Sequence, residues 1–343
     1  MPENPSGSTW LDRIWYAGAP GAWLLPFSLL YRSIVALRRA AYATGLLQRT
    51  RIDVPVIVVG NLTVGGTGKT PLTAWLVARL VALGLRPGIA TRGHGRRQGG
   101  ALRVTSASTA TEVGDEPLLL ARRTGVPVCV AARRAEAARL LRAAGCDVIV
   151  CDDGLQHLAL ARDLEIVVVD AARGFGNGRL LPAGPLREPA SRLARADLVV
   201  VNVAGGRAVP AAVGAGALRM HLEGELALPV TGNGTPRPLA QFQGQSVHAV
   251  AGIGNPQRFF AQLRAAGLTF DARPWPDHHA FQLADITFAD AAPVLMTEKD
   301  AVKCAAFAGE RHWYVPVDAT FDAPDEARLM QCLAALCKPG AHV

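Results

Sequence analysis

Lysine and aromatic residues are scarce in this chain. Only four of its 343 residues are lysine, although lysine and arginine together number 36, and aromatic residues make up 6%. The formal net charge of +8 suits a polyanion or an anionic membrane. The arginines are scattered, however, without the interleaved aromatic residues of a nucleic-acid-binding surface. Nucleic acid is therefore not an expected partner.

The cysteines lack the spacing of a metal site. None of the six forms the close pairs that bind zinc, and several lie in apolar runs, where cysteine behaves as a small hydrophobic residue. This usage favours a reducing, cytosolic compartment. The cysteines are Cys129, Cys146, Cys151, Cys304, Cys332 and Cys337.

No apolar run reaches the length of a membrane-spanning helix. The uncharged stretch 14–31 is shorter than the roughly 20 apolar residues of a spanning helix, and Pro20 and Pro26 interrupt it. It is followed by no small-residue cleavage site, so it is not a signal peptide. We expect one or two helices that lie in the membrane interface.

The polar and aromatic residues of this segment fit an interfacial position. Four aromatic residues would lie at headgroup depth and three arginines would meet anionic lipid. An alternative is that these helices pack on the protein's own core. The aromatic residues are Trp10, Trp15, Tyr16 and Trp23, and the arginines are Arg32, Arg38 and Arg39.

A phosphate-binding loop follows the first buried strand. A β-branched run at 56–59 leads into a glycine-rich turn and a helix start, with Lys69 and Thr70 at the junction. Such a loop surrounds phosphate with backbone N–H groups and the positive end of a helix, which indicates ATP or GTP. Thr63 stands where the consensus has glycine. The residues expected to bind the triphosphate are Thr63, Val64, Gly65, Gly66, Thr67, Gly68, Lys69 and Thr70.

Strands and helices alternate after this loop. Strands are predicted at 87–91, 126–131, 147–151, 165–170 and 197–202, with helices at 70–83 and 133–144. The pattern predicts an α/β fold: a P-loop NTPase-type, mostly parallel sheet with helices on both faces. Ligands of such sheets bind at the carboxyl ends of the strands.

The predicted domain order has four parts. An N-terminal membrane-interface helical segment is followed by the P-loop domain, a hairpin or linker, and a smaller C-terminal α/β domain with strands at 248–252, 294–297 and 313–317. The active site is expected in the cleft between the two domains. The boundaries are 1–50, 51–217, 218–246 and 247–343.

Acidic pairs and one arginine follow the predicted strands. Asp152 and Asp153 end an apolar strand in the Walker B arrangement, which binds Mg²⁺. Asp115 and Glu116 lie at a helix N-terminus, where acids also stabilise the helix without any functional role. Arg187, in a long loop rich in glycine and proline, can contact an anion.

Seven motifs together resemble one family, the tetraacyldisaccharide 4'-kinases. They occur in a single order along nearly the whole chain, and the apolar N-terminus also fits. Two departures are Leu155, where phenylalanine is expected, and His94, where tyrosine is expected. The motifs are GNLTVGGTGKTP (60–71), TRGHGR (91–96), VGDEP (113–117), DDGLQH (152–157), LPAGPLREP (181–189), PDHHAF (276–281) and TEKDAVK (297–303).

The resemblance implies a lipid kinase that uses MgATP. It would transfer the γ-phosphate to the 4'-hydroxyl of a tetraacylated glucosamine disaccharide 1-phosphate, a glycolipid, and so form lipid IVA in lipid A biosynthesis. The reaction would take place at the cytoplasmic face of the inner membrane. Lys69 and Thr70 would hold the triphosphate and Mg²⁺, with Asp152 and Asp153 as further metal ligands.

The resemblance also assigns the acid–base residues. Asp115 matches the family's proposed general base, with Glu116 and Arg187 near the nucleotide. A histidine of PDHHAF would support the base, and His278 is expected in that role rather than His279.

Two other functions stay open. A membrane-positioned P-loop ATPase that switches partners would share the GG-x-GK-T loop, but its signature lysine before the two glycines is Val64 here. A soluble small-molecule kinase would have no use for the apolar N-terminus. Whether ATP turnover depends on a glycolipid acceptor distinguishes these two functions from that of a lipid kinase.

Overall fold

The structure is a computed structural model, which we describe for residues 10–96, 99–203, 208–214 and 216–336. Residues 1–9 of the predicted N-terminal segment, and 337–343 of the predicted C-terminal domain with Cys337, lie outside these ranges. The helices are α1 (Trp10–Tyr16), α2 (Leu25–Ala43), α3 (Lys69–Ala82), α4 (Ala110–Val113), α5 (Asp115–Thr124), α6 (Arg134–Ala143), α7 (Pro256–Ala265), α8 (Glu298–Cys304) and α9 (Ala323–Leu336).

The strands form two sheets. They are β1 (Val56–Gly60), β2 (Pro87–Thr91), β3 (Leu102–Arg103), β4 (Val128–Val130), β5 (Val148–Asp152), β6 (Leu164–Asp170), β7 (Leu198–Asn202), β8 (Leu218–Glu223), β9 (Leu226–Pro229), β10 (Arg237–Pro238), β11 (His248–Ala251), β12 (Asp271–Pro274), β13 (Val294–Thr297), β14 (His312–Val315) and β15 (Asp318–Phe321).

The larger sheet carries the phosphate-binding loop. Its nine strands run in the order β15-β8-β7-β6-β1-β5-β2-β4-β3, and all neighbours are parallel except for β15 and β3 at the two edges. The central strand β1 is buried along its whole length, as expected for a strand covered on both faces. Helices α3, α5 and α9 pack on one face and α6 on the other. The predicted fold class is confirmed.

The predicted elements of this sheet agree with the structure to within two residues. The strand expected at 126–131 is shortened to β4, and the one expected at 147–151 extends to Asp152. Helix α5 begins at Asp115. Asp115 and Glu116 therefore belong to the first helical turn.

The smaller sheet has the strand order β10-β9-β14-β13-β11-β12. The sheets divide the chain differently from the boundaries expected at 218 and 247. Within the expected linker, β8 joins the larger sheet, whereas β9 and β10 pair antiparallel in the smaller one. After the smaller sheet the chain returns to the larger one, where β15 pairs with β8 and α9 buries Leu329 and Leu333.

The N-terminal helices pack only partly on the rest of the chain. Trp15 is buried and its indole N–H donates to the carbonyl of Pro182 at 2.9 Å, so this residue does not lie at headgroup depth as expected. In α2, the Ser28 hydroxyl donates to the carbonyl of Leu180 at 2.8 Å. The alternative of packing on the protein's own core therefore holds for one face of this segment.

The other face of the segment is apolar and exposed. The large apolar side chains of this segment that are more than half exposed are Trp10, Trp23, Phe27, Leu29, Leu30, Ile34, Leu37 and Leu46. Two of the arginines expected to meet lipid contact other parts of the protein. Arg39 pairs with the buried Glu188 at 2.8 Å, and Arg38 lines a cleft beside the phosphate-binding loop. None of the described helices is long and apolar enough to cross a bilayer.

Candidate active site

The phosphate-binding loop requires glycine at its last position. Gly68 has a φ of 99°, and an added Cβ would lie 3.0 Å from Met220 and 3.2 Å from the Asn202 amide. Helix α3 begins at the next residue, so its free N–H groups point into the loop. The Thr67 hydroxyl is buried without a hydrogen-bond partner in the described parts of the chain. The loop thus offers unpaired donors to a phosphate.

A cleft of about 900 Å³ separates this loop from the smaller sheet. Residues 64–70 line one side, and Arg258, Asp277, His278 and Lys299 line the other. The sequence predicts the active site in the cleft between the two domains, and this cleft lies between the two sheets. Thr63 is buried and bridged to Leu186, and it does not line the cleft.

Two cations surround Asp153 at the floor of the cleft. Arg187 donates to its carboxylate at 3.0 and 3.1 Å, and the Lys69 ammonium lies 3.5 Å away. Burial alone would raise the pKa of Asp153, but these two charges lower it to about 2. Lys69 also donates to the Asn61 side chain at 3.1 Å. The structure therefore brings Lys69, Asp153 and Arg187 together.

Asp152 lies deeper than its neighbour. It is 1% exposed and accepts a hydrogen bond from the Thr73 hydroxyl at 3.0 Å. Burial and the charge of Glu116 raise the pKa of Asp152 to about 7, although Lys69 acts in the opposite direction. A nearby cation would stabilise this carboxylate in its ionised form.

The predicted magnesium ligands can be compared with this geometry. The described residues contain no group of three His, Cys, Asp or Glu that could hold a metal ion. Mg²⁺, however, is commonly bound by one or two carboxylates together with phosphate oxygens. Thr70 and Asp153 line the cleft. Asp152 is a buried carboxylate that accepts from Thr73 and has no cationic hydrogen-bond partner among the described residues. These oxygen donors fit Mg²⁺.

Asp115 and His278 form a pair beside the cleft, where both line an adjoining cavity of about 430 Å³. The Asp115 Oδ2 and His278 Nδ1 atoms are 3.0 Å apart, although the residues are 163 positions apart in sequence. Burial alone would raise the pKa of Asp115, but the hydrogen bond with His278 and the Lys299 charge lower it to about 2. The hydrogen bond with Asp115 raises the pKa of His278 against burial and Lys299, which lower it. A carboxylate and an imidazole thus meet in proton-exchange geometry.

His278 rather than His279 contacts Asp115. His278 has a φ of 60°, a strained backbone conformation for a histidine and one that occurs at functional sites. The His279 ring stacks on Trp275 at 4.2 Å and its Nε2 lies 3.0 Å from Asp285. His279 therefore contacts Trp275 and Asp285 rather than Asp115.

The two departures from the family pattern have different surroundings. Leu155 is fully buried and its Cβ fills the space beside Gly60, so leucine replaces one apolar core residue with another. The His94 ring lies 5.2 Å from the His278 ring and borders the cleft. Only the second departure touches the candidate site.

Sequence reasoning missed three polar residues of the site. Lys299 lies 3.3 Å from Glu116, and Asp277 lies 3.2 Å from Lys299. Asn61 accepts the hydrogen bond from Lys69. Each belongs to a motif that the sequence analysis quoted, but no pattern in the sequence indicates which motif residues face the cleft.

Comparisons with known proteins identify the family of this chain. A family model described as tetraacyldisaccharide-1-P 4'-kinase matches residues 21–338. The chain is 52% identical over 313 residues to the tetraacyldisaccharide 4'-kinase of Stenotrophomonas maltophilia, covering 90% of this chain and 92% of that protein. It is 50% identical over 334 residues to the enzyme of the same name from Methylobacillus flagellatus, covering 96% and 98%.

A solved structure is similar over nearly the whole chain. It is LpxK from Aquifex aeolicus in complex with ATP, with a TM-score of 0.79 and 30% identity, and the match covers 92% of this chain and 99% of that one. The family model and the relatives, which each cover most of the chain, point to the same conclusion. The chain belongs to the tetraacyldisaccharide 4'-kinase family, whose activity, EC 2.7.1.130, is part of lipid A biosynthesis.

Proposed function

We propose that this chain transfers the γ-phosphate of ATP to the 4'-hydroxyl of a tetraacyldisaccharide 1-phosphate. The observation that supports it most strongly is the Asp115–His278 pair: His278 lines the cleft opposite the phosphate-binding loop, and its partner Asp115 lines an adjoining cavity that His278 also borders. A P-loop alone would serve an ATPase equally well. A carboxylate–imidazole pair opposite that loop is what transfer to an alcohol requires, because the hydroxyl must lose its proton.

The P-loop side of the cleft holds the nucleotide. The backbone N–H groups of residues 64–70 and the start of α3 bind the β- and γ-phosphates, with the Lys69 ammonium beside them. Arg187 stabilises charge on the transferring group. Thr70, Asp152 and Asp153 would hold Mg²⁺, which when bound neutralises charge on the phosphate oxygens.

His278 and Asp115 divide the acid–base work between them. A pKa of about 2 makes Asp115 a weak base at neutral pH, whereas the pKa of His278 is raised from its ordinary value. We therefore assign the proton of the 4'-hydroxyl to the imidazole, and not to Asp115, which the family resemblance implies as the general base. Asp115 orients the ring through the 3.0 Å hydrogen bond and stabilises its protonated form.

The N-terminal segment brings the enzyme to its lipid substrate. The exposed apolar side chains of α2 would enter the interfacial region of the cytoplasmic face of the inner membrane. Arg38 of the same helix borders the cleft, so the membrane surface and the active site are close to one another. The acceptor's acyl chains can then stay in the bilayer while its sugar reaches the site.

Acceptor-dependent ATP turnover tests this proposal. ADP release is measured in detergent micelles with and without tetraacyldisaccharide 1-phosphate, and Lys69→Ala is the inactive control. A lipid kinase releases ADP in amounts equal to the phosphorylated acceptor. ADP release of the same size without acceptor, or release stimulated only by a protein, would favour the partner-switching ATPase instead.

A further inference from the structure

The Lys299 ammonium group lies close to three carboxylates beside the Asp115–His278 pair. Its ammonium nitrogen lies 3.2 Å from Asp277 Oδ1, 3.3 Å from Glu116 Oε1 and 3.7 Å from Asp115 Oδ2. Asp115 and Glu116 belong to α5 on the larger sheet, whereas Lys299 begins α8 beside the smaller sheet. One side chain thus links both sides of the cleft.

The same carboxylate oxygen contacts both Lys299 and His278. Oδ2 of Asp115 lies 3.0 Å from the imidazole Nδ1 and 3.7 Å from the ammonium. The Lys299 side chain is only 16% exposed, so solvent screens its charge weakly. Its charge therefore acts on the imidazole as well as on the carboxylates.

Negative charge would otherwise dominate around His278. Asp277 Oδ2 lies 3.8 Å from its Nε2, and Asp115 lies on its other nitrogen. Two carboxylates hold an imidazole in its protonated state, in which it cannot accept another proton. The titratable or charged groups around the pair, from every element packed on it, are Asp115, Glu116, Asp277, His94, Lys299 and Lys303.

We propose that Lys299 is a positioning residue for the proton-accepting pair. Its ammonium group holds the α5 carboxylates in place and offsets the negative charge around His278. The imidazole consequently remains free to accept the proton of the acceptor hydroxyl. This assignment rests on the proposed function, because it needs His278 to act as the base.

The direction of the electrostatic effect follows from the charges. The Lys299 charge lowers the pKa of His278, while the hydrogen bond with Asp115 raises it. Removal of the lysine charge therefore raises the pKa of His278. A base loses activity below its pKa, so the acidic limb of the rate profile should move to higher pH.

The test is the pH dependence of kcat for full-length Lys299→Met and Lys299→Arg, at saturating ATP and glycolipid in micelles. In Lys299→Met the acidic limb of the kcat profile should move to higher pH by about half to one unit. At pH values above this limb, kcat should be within about threefold of that of the unsubstituted protein. In Lys299→Arg the limb should stay in place, because the positive charge remains. Lys303→Met is the matched control: Lys303 lies one turn along α8, 2.8 Å from Asp300, and its charge acts on Asp115 more weakly than that of Lys299, so its limb should move less than that of Lys299→Met.

The His278 titration is followed in parallel by NMR, with His278→Gln used to assign its signal. An upward shift in Lys299→Met supports the proposal even when turnover is low, and the melting temperature confirms that the variant is folded. If Lys299→Met is unfolded, Lys299→Gln replaces it. An unchanged titration, an equal loss at every pH, or an increase in the KM for ATP alone would overturn the proposal.

Failure of this inference can be distinguished from failure of the proposed function. Full activity of His278→Gln would refute the role of the imidazole itself. An inactive His278→Gln together with an unshifted limb in Lys299→Met would refute only the role of Lys299.

Discussion

Replacing Asp115 with asparagine removes the charge of the catalytic pair while keeping the shape of the side chain. An amide can still hydrogen-bond to His278, but it does not stabilise the protonated imidazole. We expect turnover to fall by roughly 10²–10⁴. ATP affinity should change little, because Asp115 lines the adjoining cavity and not the cleft that the P-loop borders.

The structure also sets an upper limit on the native-state stability that Asp115→Asn can lose. The pKa of Asp115 is lowered from 3.8 to about 2, which corresponds to roughly 2 kcal/mol of native-state stability at neutral pH. Because the folded-state pKa is depressed, this contribution is present above about pH 4 and is lost as the pH falls towards 2. In Asp115→Asn, Lys299 keeps its ion pairs with Glu116 and Asp277. The loss of native-state stability should therefore be smaller than this figure.

Three measurements on one sample separate catalysis from folding: the melting temperature, the ATP dissociation constant and the rate of transfer. The expected result is a folded, ATP-binding and nearly inactive Asp115→Asn. If Asp115 only stabilised the start of α5, the variant would be less stable but would have normal turnover per folded molecule. A stable, ATP-binding and fully active variant would refute the catalytic assignment.

Other predictions concern the nucleotide and the membrane. Lys69→Ala and Thr70→Ala should each reduce transfer to less than about a tenth; higher activity in both, measured by phosphate transfer, would place the nucleotide elsewhere. The double variant Leu30→Gln, Leu37→Gln should move the protein from the membrane fraction to the soluble fraction, because both side chains are exposed on α2. Leu140→Gln, which changes an exposed leucine on α6, is the control and should leave sedimentation unchanged. Unchanged sedimentation of the double variant would mean that another surface binds the membrane.

The central sheet could be predicted because its strands carry strong local signals. The β-branched runs of β1, β5, β6 and β7 are continuous and buried, as strands covered on both faces must be. The edge strand β15 has no such signal. Its partner β8 lies about a hundred residues earlier, and no local pattern states which sheet a short strand joins.

The site was predictable in its chemistry but not in its contacts. The P-loop and the paired acids follow from strand ends and glycine positions, and the structure brings Lys69, Asp153 and Arg187 together. The contact between Asp115 and His278 depends on how the two sheets face each other. Lys299 was overlooked because a lysine in the first turn of a helix normally extends into solvent, whereas three carboxylates surround this one.

The most direct test of the account is to locate the phosphate on the product. The purified full chain is incubated in micelles with tetraacyldisaccharide 1-phosphate and ATP labelled in its γ-phosphate, and the lipid is analysed by phosphorus NMR and mass spectrometry. The account predicts one labelled phosphate, on the 4'-oxygen of the disaccharide, and no such product with His278→Gln. Labelled inorganic phosphate with an unmodified lipid, or a phosphate at a different hydroxyl, would contradict it.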